Sequence, residues 1–530
     1  MVAVSLFLVL ALVSSTVVAQ PGTKSLAEAM TYLHRVMSLE NPTKSAYEWI
    51  PPSDESIAPI SDEDSVKIGL SYILERLDLK PNKFRVRTSF TDHLGITHVY
   101  GVPLYLGLPI DKLHAAAHVK NGQVFFCSAT IKSNPSLTKI SPTTPEPIIK
   151  KSSEEAVKAA VDHFKIPFHR DIEPVMEYHQ MGNKYILVWN VQLRDDPITQ
   201  WIQVKVDANT GYKLKGNNAL IKFRRGMKFQ TTTRGVFDMD FDPTLPPQTP
   251  KNLVAGAINA FYVTNMVHDV FYKYGFTEKA GNFQMDNFGK GGKEGDPIIL
   301  DIQNSKKKNN AYFYSPPDGQ SGVLTLHIYT ATEPNRDSAM DNTILAHELA
   351  HGLSTRLTGG ARITRCMAET ESLGLGEGYS DVMALIFTAK PEDTRNTRKV
   401  VGEYVEGSPT GIRRYTYTTD MRVNPLTYKD AVGEKERHRL GEIWAIMLWE
   451  VYWSLVEAHG FSANLHDATQ KEGNIVFLQI LVGTLMIQPC NPTFNSAYDA
   501  MLAADYAYYG GIHKHLIIKG FAKRGLGSIS

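Results

Sequence analysis

The stretch AHELAHGLSTRLTGG, residues 346–360, decides the fold of this chain. It contains His347, Glu348 and His351, and a helix brings residues three and four positions apart onto one face. The two imidazoles would then stand one turn apart with a carboxylate beside them. Neutral imidazole nitrogens in this spacing are typical zinc ligands, and the glutamate is typical of a catalytic base.

The sequence also predicts both ends of this helix. Three residues that favour helix starts precede the motif, and Asp337, Ser338 and Asp341 are all candidates for the N-cap. Gly359 and Gly360 predict the C-terminal end, because glycine readily adopts the left-handed conformation that stops a helix.

A catalytic zinc needs a third protein ligand, and ESLGLGEGYSDVMALIF, residues 371–387, supplies a candidate. Glu377 lies on a second helix that is predicted to begin near Gly376. Asp381 follows four residues later on the same face, where it can accept the second ring N–H of a zinc-bound histidine. An acidic pair at this spacing can also be a solvated helix face, but the apolar residues that follow favour burial.

Seven stretches in this order along residues 252–510 carry a family resemblance: NAFYVTNMVHDVFYKYGF, GNFQMDNFG, NNAYFYSPPDGQ, HELAHGLSTRLTGG, TESLGLGEGYSDVMA, HRLGEIWAIMLWEVYWSLVEAHGF and MIQPCNPTFNSAYDAMLAAD. Together they resemble the fungalysin family of secreted metallopeptidases. The resemblance implies an α+β fold, namely a two-lobed thermolysin-like metallopeptidase domain with one zinc ion between the lobes. It also implies small α+β pro-region units before that domain.

The resemblance assigns roles to residues of this chain. His347, His351 and Glu377 would hold one Zn²⁺ ion, and Glu348 would be the general base that acts on a zinc-activated water. His438 would donate a hydrogen bond to the developing oxyanion, and either Glu434, Glu436 or neither would orient it.

Two further residues are expected to bind substrate. Asn310 and Ala311 resemble the edge segment that holds the substrate backbone in this superfamily by adding a peptide strand. A plain turn is the other interpretation of these residues. The resemblance implies broad specificity for protein and peptide substrates, with a preference for hydrophobic residues just after the cleaved bond.

The first part of the chain is expected to be removed. Residues 1–19 contain an apolar run followed by small residues, which predicts a signal peptide and a secreted, extracellular protein. Residues 20–225 are predicted to form a pro-region that acts as an intramolecular inhibitor or chaperone. Within it, residues 60–130 and 150–210 resemble the fungalysin/thermolysin propeptide (FTP) unit and a PepSY unit respectively. The catalytic domain would then occupy residues 226–530.

Composition excludes other classes of protein. Lys and Arg number 56 against 55 Asp and Glu, so no overall basic charge favours nucleic acid, and the N-terminal apolar run is too short for a membrane anchor. An oxidising compartment permits one disulfide among the three cysteines, and Cys366 and Cys490 could pair.

The alternative function is that of a secreted zinc-binding protein without catalysis, with a role in adhesion or inhibition.

Overall fold

The computed structural model describes residues 44–50, 60–111, 113–131, 149–168, 173–181, 184–194, 201–211, 213–219 and 240–527. The predicted signal peptide and the predicted boundary at residue 225 lie outside these residues. Helices and sheets are both extensive, so the predicted mixture of α and β structure is confirmed.

The first unit is an antiparallel sheet covered by one helix. Its strands are β1 Lys44–Trp49, β2 Phe84–Thr91, β3 Thr97–Tyr105, β4 Leu108–Pro109, β5 Ala115–Lys120 and β6 Gln123–Ile131. They are ordered β1-β6-β5-β3-β2, with β4 paired to β3. Helix α1, Asp62–Arg76, begins at Ser61, whose side chain accepts the backbone N–H of Asp64, and buries Ile73 against the sheet.

The second unit repeats this plan on a smaller scale. Helix α2, Ser153–Phe164, begins with a reciprocal capping box between Ser152 and Glu155. Its small residues Ala156 and Ala160 pack on a sheet of β7 Val175–Met181, β8 Lys184–Arg194, β9 Trp201–Asp207 and β10 Lys213–Ala219, in the order β10-β9-β8-β7.

The remainder of the described chain has few strands and many helices. Strands β11 Ile299–Asp301, β12 Ala311–Tyr314 and β13 Val323–Leu326 form a small sheet, and β14 Ile328–Tyr329 pairs with β15 Arg336–Asp337. The helices are α3 Pro250–Lys273, α4 Asn342–Leu357, α5 Thr370–Phe387, α6 Glu403–Glu406, α7 Arg437–His459, α8 Gly473–Ile487, α9 Phe494–Tyr509 and α10 Lys514–Lys523. Every residue of α8 is buried, which places this helix at the centre of the largest core.

Helix α5 begins at Thr370, six residues before the predicted start near Gly376. Glycine lowers helix propensity, which is why the sequence favours a later start. In the folded protein a Cβ atom on Gly374 would overlap Leu440, and one on Gly378 would overlap Trp444. The glycines inside α5 therefore allow α7 to approach closely, and this tertiary contact outweighs their low propensity.

The first sheet packs against the helices of the last part of the chain. The Tyr100 hydroxyl, on β3, donates to the carbonyl of Met486 on α8 at 2.7 Å, and His93 Nε2 lies 3.1 Å from Gln479 Oε1. Tyr47 on β1 donates to the Asp499 carboxylate on α9. In the part of the chain that the structure describes, no helix is both apolar and long enough to span a bilayer.

Candidate metal centre

Helix α4 carries the His-Glu-x-x-His motif and begins at one of the three candidate caps. The Asp341 carboxylate accepts the backbone N–H groups of Thr343 at 3.0 Å and Ile344 at 3.4 Å. Asp337 instead caps a short 3₁₀ turn before the helix, where it accepts the N–H of Ala339. After the helix, Gly359 adopts a φ of +78°, which fits its predicted role as the stop.

Three side chains from two helices converge at one point. His347 and His351 on α4 place their Nε2 atoms 3.2 Å apart, and Oε2 of Glu377 on α5 lies 3.3 Å from His347 Nε2 and 3.6 Å from His351 Nε2. One ligand atom from each residue therefore falls within 4.8 Å of the others. The structure thus brings together the three residues that the sequence predicts as metal ligands.

These separations fit a single zinc ion. Four ligands at about 2.0–2.1 Å in tetrahedral geometry lie about 3.3 Å from one another. The observed separations of 3.2, 3.3 and 3.6 Å are close to that value. Two imidazoles and one carboxylate are a donor set typical of catalytic zinc, which leaves one coordination position open.

Asp381, one turn after Glu377 on α5, fixes the orientation of His347. Its Oδ1 lies 2.8 Å from His347 Nδ1, so a proton on Nδ1 leaves the Nε2 lone pair directed at the metal position. The guanidinium of Arg413 donates two bonds of 2.7 Å to the same carboxylate, and the Tyr417 hydroxyl donates a third. The carboxylate is completely buried, so these donors also replace its lost hydration.

The electrostatics of the site favour a positive charge at its centre. Burial alone would raise the pKa of Asp381, but Arg413 and the hydrogen bond from His347 hold it well below its ordinary value. Burial likewise opposes ionisation of Glu377, yet the two histidines hold the pKa of Glu377 well below its usual range. The carboxylates of Asp381 and Glu377 are therefore both ionised at neutral pH, close to the point at which the ligand atoms meet.

Glu348 lies next to the ligands but takes no part in the cluster. Its side chain is buried, and burial, with the nearby Glu377 carboxylate, raises the pKa of Glu348. Its Oε2 atom has no hydrogen-bond partner among the described residues. A buried carboxylate oxygen without a partner is costly unless a ligand or water satisfies it. Glu348 lines a cavity of about 240 Å³ that also contains the three predicted ligands.

His438 lies in the first turn of α7 and lines the same cavity. Its Nε2 atom lies 3.5 Å from Glu377 Oε1, and its Nδ1 atom lies 2.6 Å from Glu436 Oε1. Of the two acids that the sequence left open, Glu436 therefore holds the ring. Glu434 instead accepts backbone N–H groups of Lys435 and Glu436.

Asn310 and Ala311 form another wall of the cavity. Ala311 begins strand β12, which pairs only with β13 among the described strands and forms one edge of its sheet. Phe313 of this strand lies against Gly352 of α4, where a Cβ atom would come within 2.9 Å of the Phe313 ring. The edge strand is thus held directly beside the helix that carries the histidines.

The sequence does not predict the contacts of Arg413 and Tyr417 with Asp381. They lie in GIRRYTYTTD, residues 411–420, which forms no helix and matches no ligand spacing. Their contacts with Asp381 span 32 and 36 positions along the chain, and no local pattern encodes such distances. Cys366 and Cys490, whose pairing the sequence left open, form a disulfide, and Cys127 is buried and outside it.

Comparison with known proteins identifies the relatives of this chain. Residues 176–530 match the family model described as fungalysin metallopeptidase, and residues 82–130 match the fungalysin/thermolysin propeptide motif. The chain is 40% identical over 361 residues to a probable extracellular metalloproteinase 1 of Arthroderma benhamiae, covering 65% of this chain and 56% of that protein. It is equally identical to extracellular metalloproteinase 1 of Trichophyton equinum, covering 65% of this chain and 57% of that protein.

The chain thus spans about half the length of the curated relatives that it matches. A solved structure, the C-terminal domain of Bacillus megaterium YpeB, is 14% identical over 37% of this chain and 97% of that one. Its TM-score of 0.20 is too low to indicate a common fold. The fungalysin model covers well over half of the chain and includes every residue of the candidate metal centre. The chain belongs to the fungalysin metallopeptidase family.

Proposed function

We propose that this protein is a secreted zinc endopeptidase, made as an inhibited precursor, that cleaves peptide bonds of extracellular proteins. One observation carries the proposal: a buried carboxylate oxygen of Glu348, which has no hydrogen-bond partner among the described residues, lies beside the converging side chains of His347, His351 and Glu377. A purely structural metal site is closed by its ligands and has no need of a free base.

The proposed roles follow from position and chemistry. When bound by His347, His351 and Glu377, zinc supplies a Lewis acid that polarises a carbonyl and lowers the pKa of water. Glu348 takes a proton from the attacking water and passes it to the leaving amine. His438, held by Glu436, donates a hydrogen bond from Nε2 to the carbonyl oxygen as negative charge develops there.

Substrate would bind along the free edge of β12. An extended peptide can add to such an edge through backbone hydrogen bonds, with Asn310 and Ala311 at the entrance to the cavity. In this arrangement a lobe with β-structure, which includes β12, lies on one side of α4, and the helices around α7 lie on the other. The two-lobed architecture with zinc between the lobes is thus part of the proposal.

The pro-region is proposed to be residues 20–225, followed by the catalytic domain at 226–530 and preceded by a signal peptide at 1–19. The match of residues 82–130 to a propeptide motif supports a pro-region in the first part of the chain. So do the names of the relatives, which are extracellular metalloproteinases. Before cleavage, the pro-region would act as an intramolecular inhibitor or chaperone.

The test of the chemistry is Glu348→Gln. We expect peptide cleavage to fall at least about 100-fold, because the base is lost, while one zinc per chain is retained because no ligand is changed. Metal analysis and a peptide assay measure the two quantities separately. Glu392→Gln, at an exposed position, is the matched control and should alter neither.

Full activity in Glu348→Gln would overturn the mechanism. A protein that holds zinc but cleaves nothing in either form would support the alternative, a zinc-binding protein without catalysis.

The inhibitory role of the pro-region is tested on the full chain. Cleavage between the pro-region and the catalytic domain, verified by mass spectrometry, should raise peptidase activity. Activity that is unchanged by this cleavage would contradict the inhibitory role.

A further inference from the structure

The first turn of α7 places a second polar side chain on the cavity, directly before His438. Arg437 lines this cavity, and just over half of its side chain, 54%, is exposed. Its Nε atom lies 3.3 Å from Oε1 of Glu377. The guanidinium therefore lies at the rim of the cavity, within reach of both solvent and a bound peptide.

Arg437 differs from its neighbours in the carboxylate that it contacts. Arg413, the other arginine of the cavity, is bound to Asp381 by two bonds of 2.7 Å. Arg414 pairs with Glu442 at 2.5 Å. Among the described residues, the only carboxylate within ion-pair distance of Arg437 is Glu377, which is a predicted metal ligand.

The position of Arg437 is also unfavourable for the helix. It is the first residue of α7, and the carboxylate of the preceding residue, Glu436, already caps this helix by accepting the N–H groups of His438 and Arg439. The positive end of the helix dipole repels a cation at this point. The helix dipole therefore gives no reason for an arginine at this position, whereas an anionic ligand at the cavity would be attracted by its side chain.

We propose that Arg437 is a specificity-determining residue that binds a carboxylate of the substrate close to the scissile bond. This inference rests on the proposed peptidase function. The planar guanidinium can form two parallel hydrogen bonds to a carboxylate, which gives direction as well as attraction. The carboxylate can belong to an aspartate or glutamate side chain, or to the free C-terminus of a short peptide.

The experiment uses the chain expressed at full length and then matured by cleavage of its pro-region, together with a set of peptides that share one cleavable bond. Each peptide carries Glu, Gln or Lys at one of the three positions on either side of this bond. We expect kcat/KM for Glu to exceed that for Lys about fivefold at one or two positions. A second series with free or amidated C-termini distinguishes a side-chain carboxylate from a terminal one.

Variants then assign the preference to one residue. Arg437→Ala should bring the Glu-to-Lys ratio close to one, and Arg437→Glu should invert it. Arg439→Ala is the matched control, because Arg439 is similarly exposed in the same turn but pairs with Glu434 at 3.7 Å, and the ratio should persist. About 1 M salt should reduce the preference of the unchanged protein.

Binding provides a readout that does not depend on turnover. Peptides with an N-methylated scissile bond, which resists cleavage, are titrated by fluorescence anisotropy. We expect the Glu peptides to bind more tightly than the Lys peptides. A Glu-to-Lys ratio of one in the unchanged protein overturns the inference, and so does a preference for Glu that persists in Arg437→Ala. Failure of the unchanged protein to cleave any peptide would instead refute the proposed function, and the anisotropy series would still decide the role of Arg437.

Discussion

His347 and Asp381 lie on different helices, 34 positions apart, and their Nδ1 and Oδ1 atoms are 2.8 Å apart. This contact determines which nitrogen of His347 faces the metal position. Asp381 is in turn held by Arg413 and Tyr417, so residues outside the candidate ligand set orient the candidate metal centre.

Asp381→Asn should weaken zinc binding about 10- to 100-fold, since an amide no longer stabilises the required tautomer of His347 and leaves Arg413 unpaired. Competition with a chromophoric chelator measures the affinity. Asp393→Asn is the control: Asp393 pairs with Lys399 at 3.0 Å, away from the site, and zinc affinity should not change. Equal affinity in Asp381→Asn would exclude the orienting role.

Glu436→Gln should lower kcat about tenfold with little change in KM, because the His438 ring loses the charged partner at 2.6 Å that holds it. His438→Ala should lower kcat further, by about 100- to 1000-fold. Glu434→Gln provides the comparison, since Glu434 accepts backbone N–H groups and lies 3.7 Å from the Arg439 guanidinium rather than holding the His438 ring, and its substitution should be almost neutral. If the two glutamate variants behaved alike, Glu436 would have no special role.

Acid should loosen the contact between the first sheet and the helices behind it. His118 on β5 is fully buried, and its Nδ1 atom lies 2.9 Å from Nδ1 of His98. The His98 ring in turn lies near Asp92, whose carboxylate accepts a hydrogen bond from the Tyr508 hydroxyl on α9. Burial, and then His98, hold the pKa of His118 well below its usual value of about 6.5. The stability that the neutral ring contributes is therefore present above about pH 6.5 and is lost as the pH falls.

The thermal unfolding midpoint of the full chain measures this effect. We expect a lower midpoint at pH 5 than at pH 7.5, and a smaller difference in His118→Gln, which cannot be protonated. His466→Asn removes an exposed histidine and should keep the pH dependence of the original protein. The same pH dependence in His118→Gln would assign the effect to other groups.

Loss of the disulfide should destabilise the loop that joins the two metal-binding helices. Cys366 lies in this loop between α4 and α5, and its partner Cys490 lies just after α8, 124 positions later. Cys490→Ser should reduce the free energy of unfolding by about 2–5 kcal/mol. Chemical unfolding measures it, with Cys127→Ala as the control. A reductant should lower the stability of the original chain and leave Cys490→Ser unaffected.

The chemistry of the metal centre is predictable because its first elements are local. A helix alone places His347, Glu348 and His351 on one side, and one more helix turn connects Glu377 with Asp381. The sequence predicts too late a start for α5, because the glycines that weaken a helix locally are required for the close approach of α7. Local propensity and tertiary packing conflict at these positions, and packing prevails.

The sequence by itself determined the metal-binding motif, the class of fold and the family, since these depend on residue types and on short spacings along one helix. Only the tertiary structure decided that Glu436 rather than Glu434 holds His438 and that Arg413 and Tyr417 hold Asp381. It also placed Arg437 on the cavity wall, where Glu377 is its one carboxylate contact among the described residues. Each of these outcomes depends on loops and helix ends that are brought together by the packing of distant segments. Such contacts follow from the way that the whole chain excludes water, and no periodicity along the sequence records them.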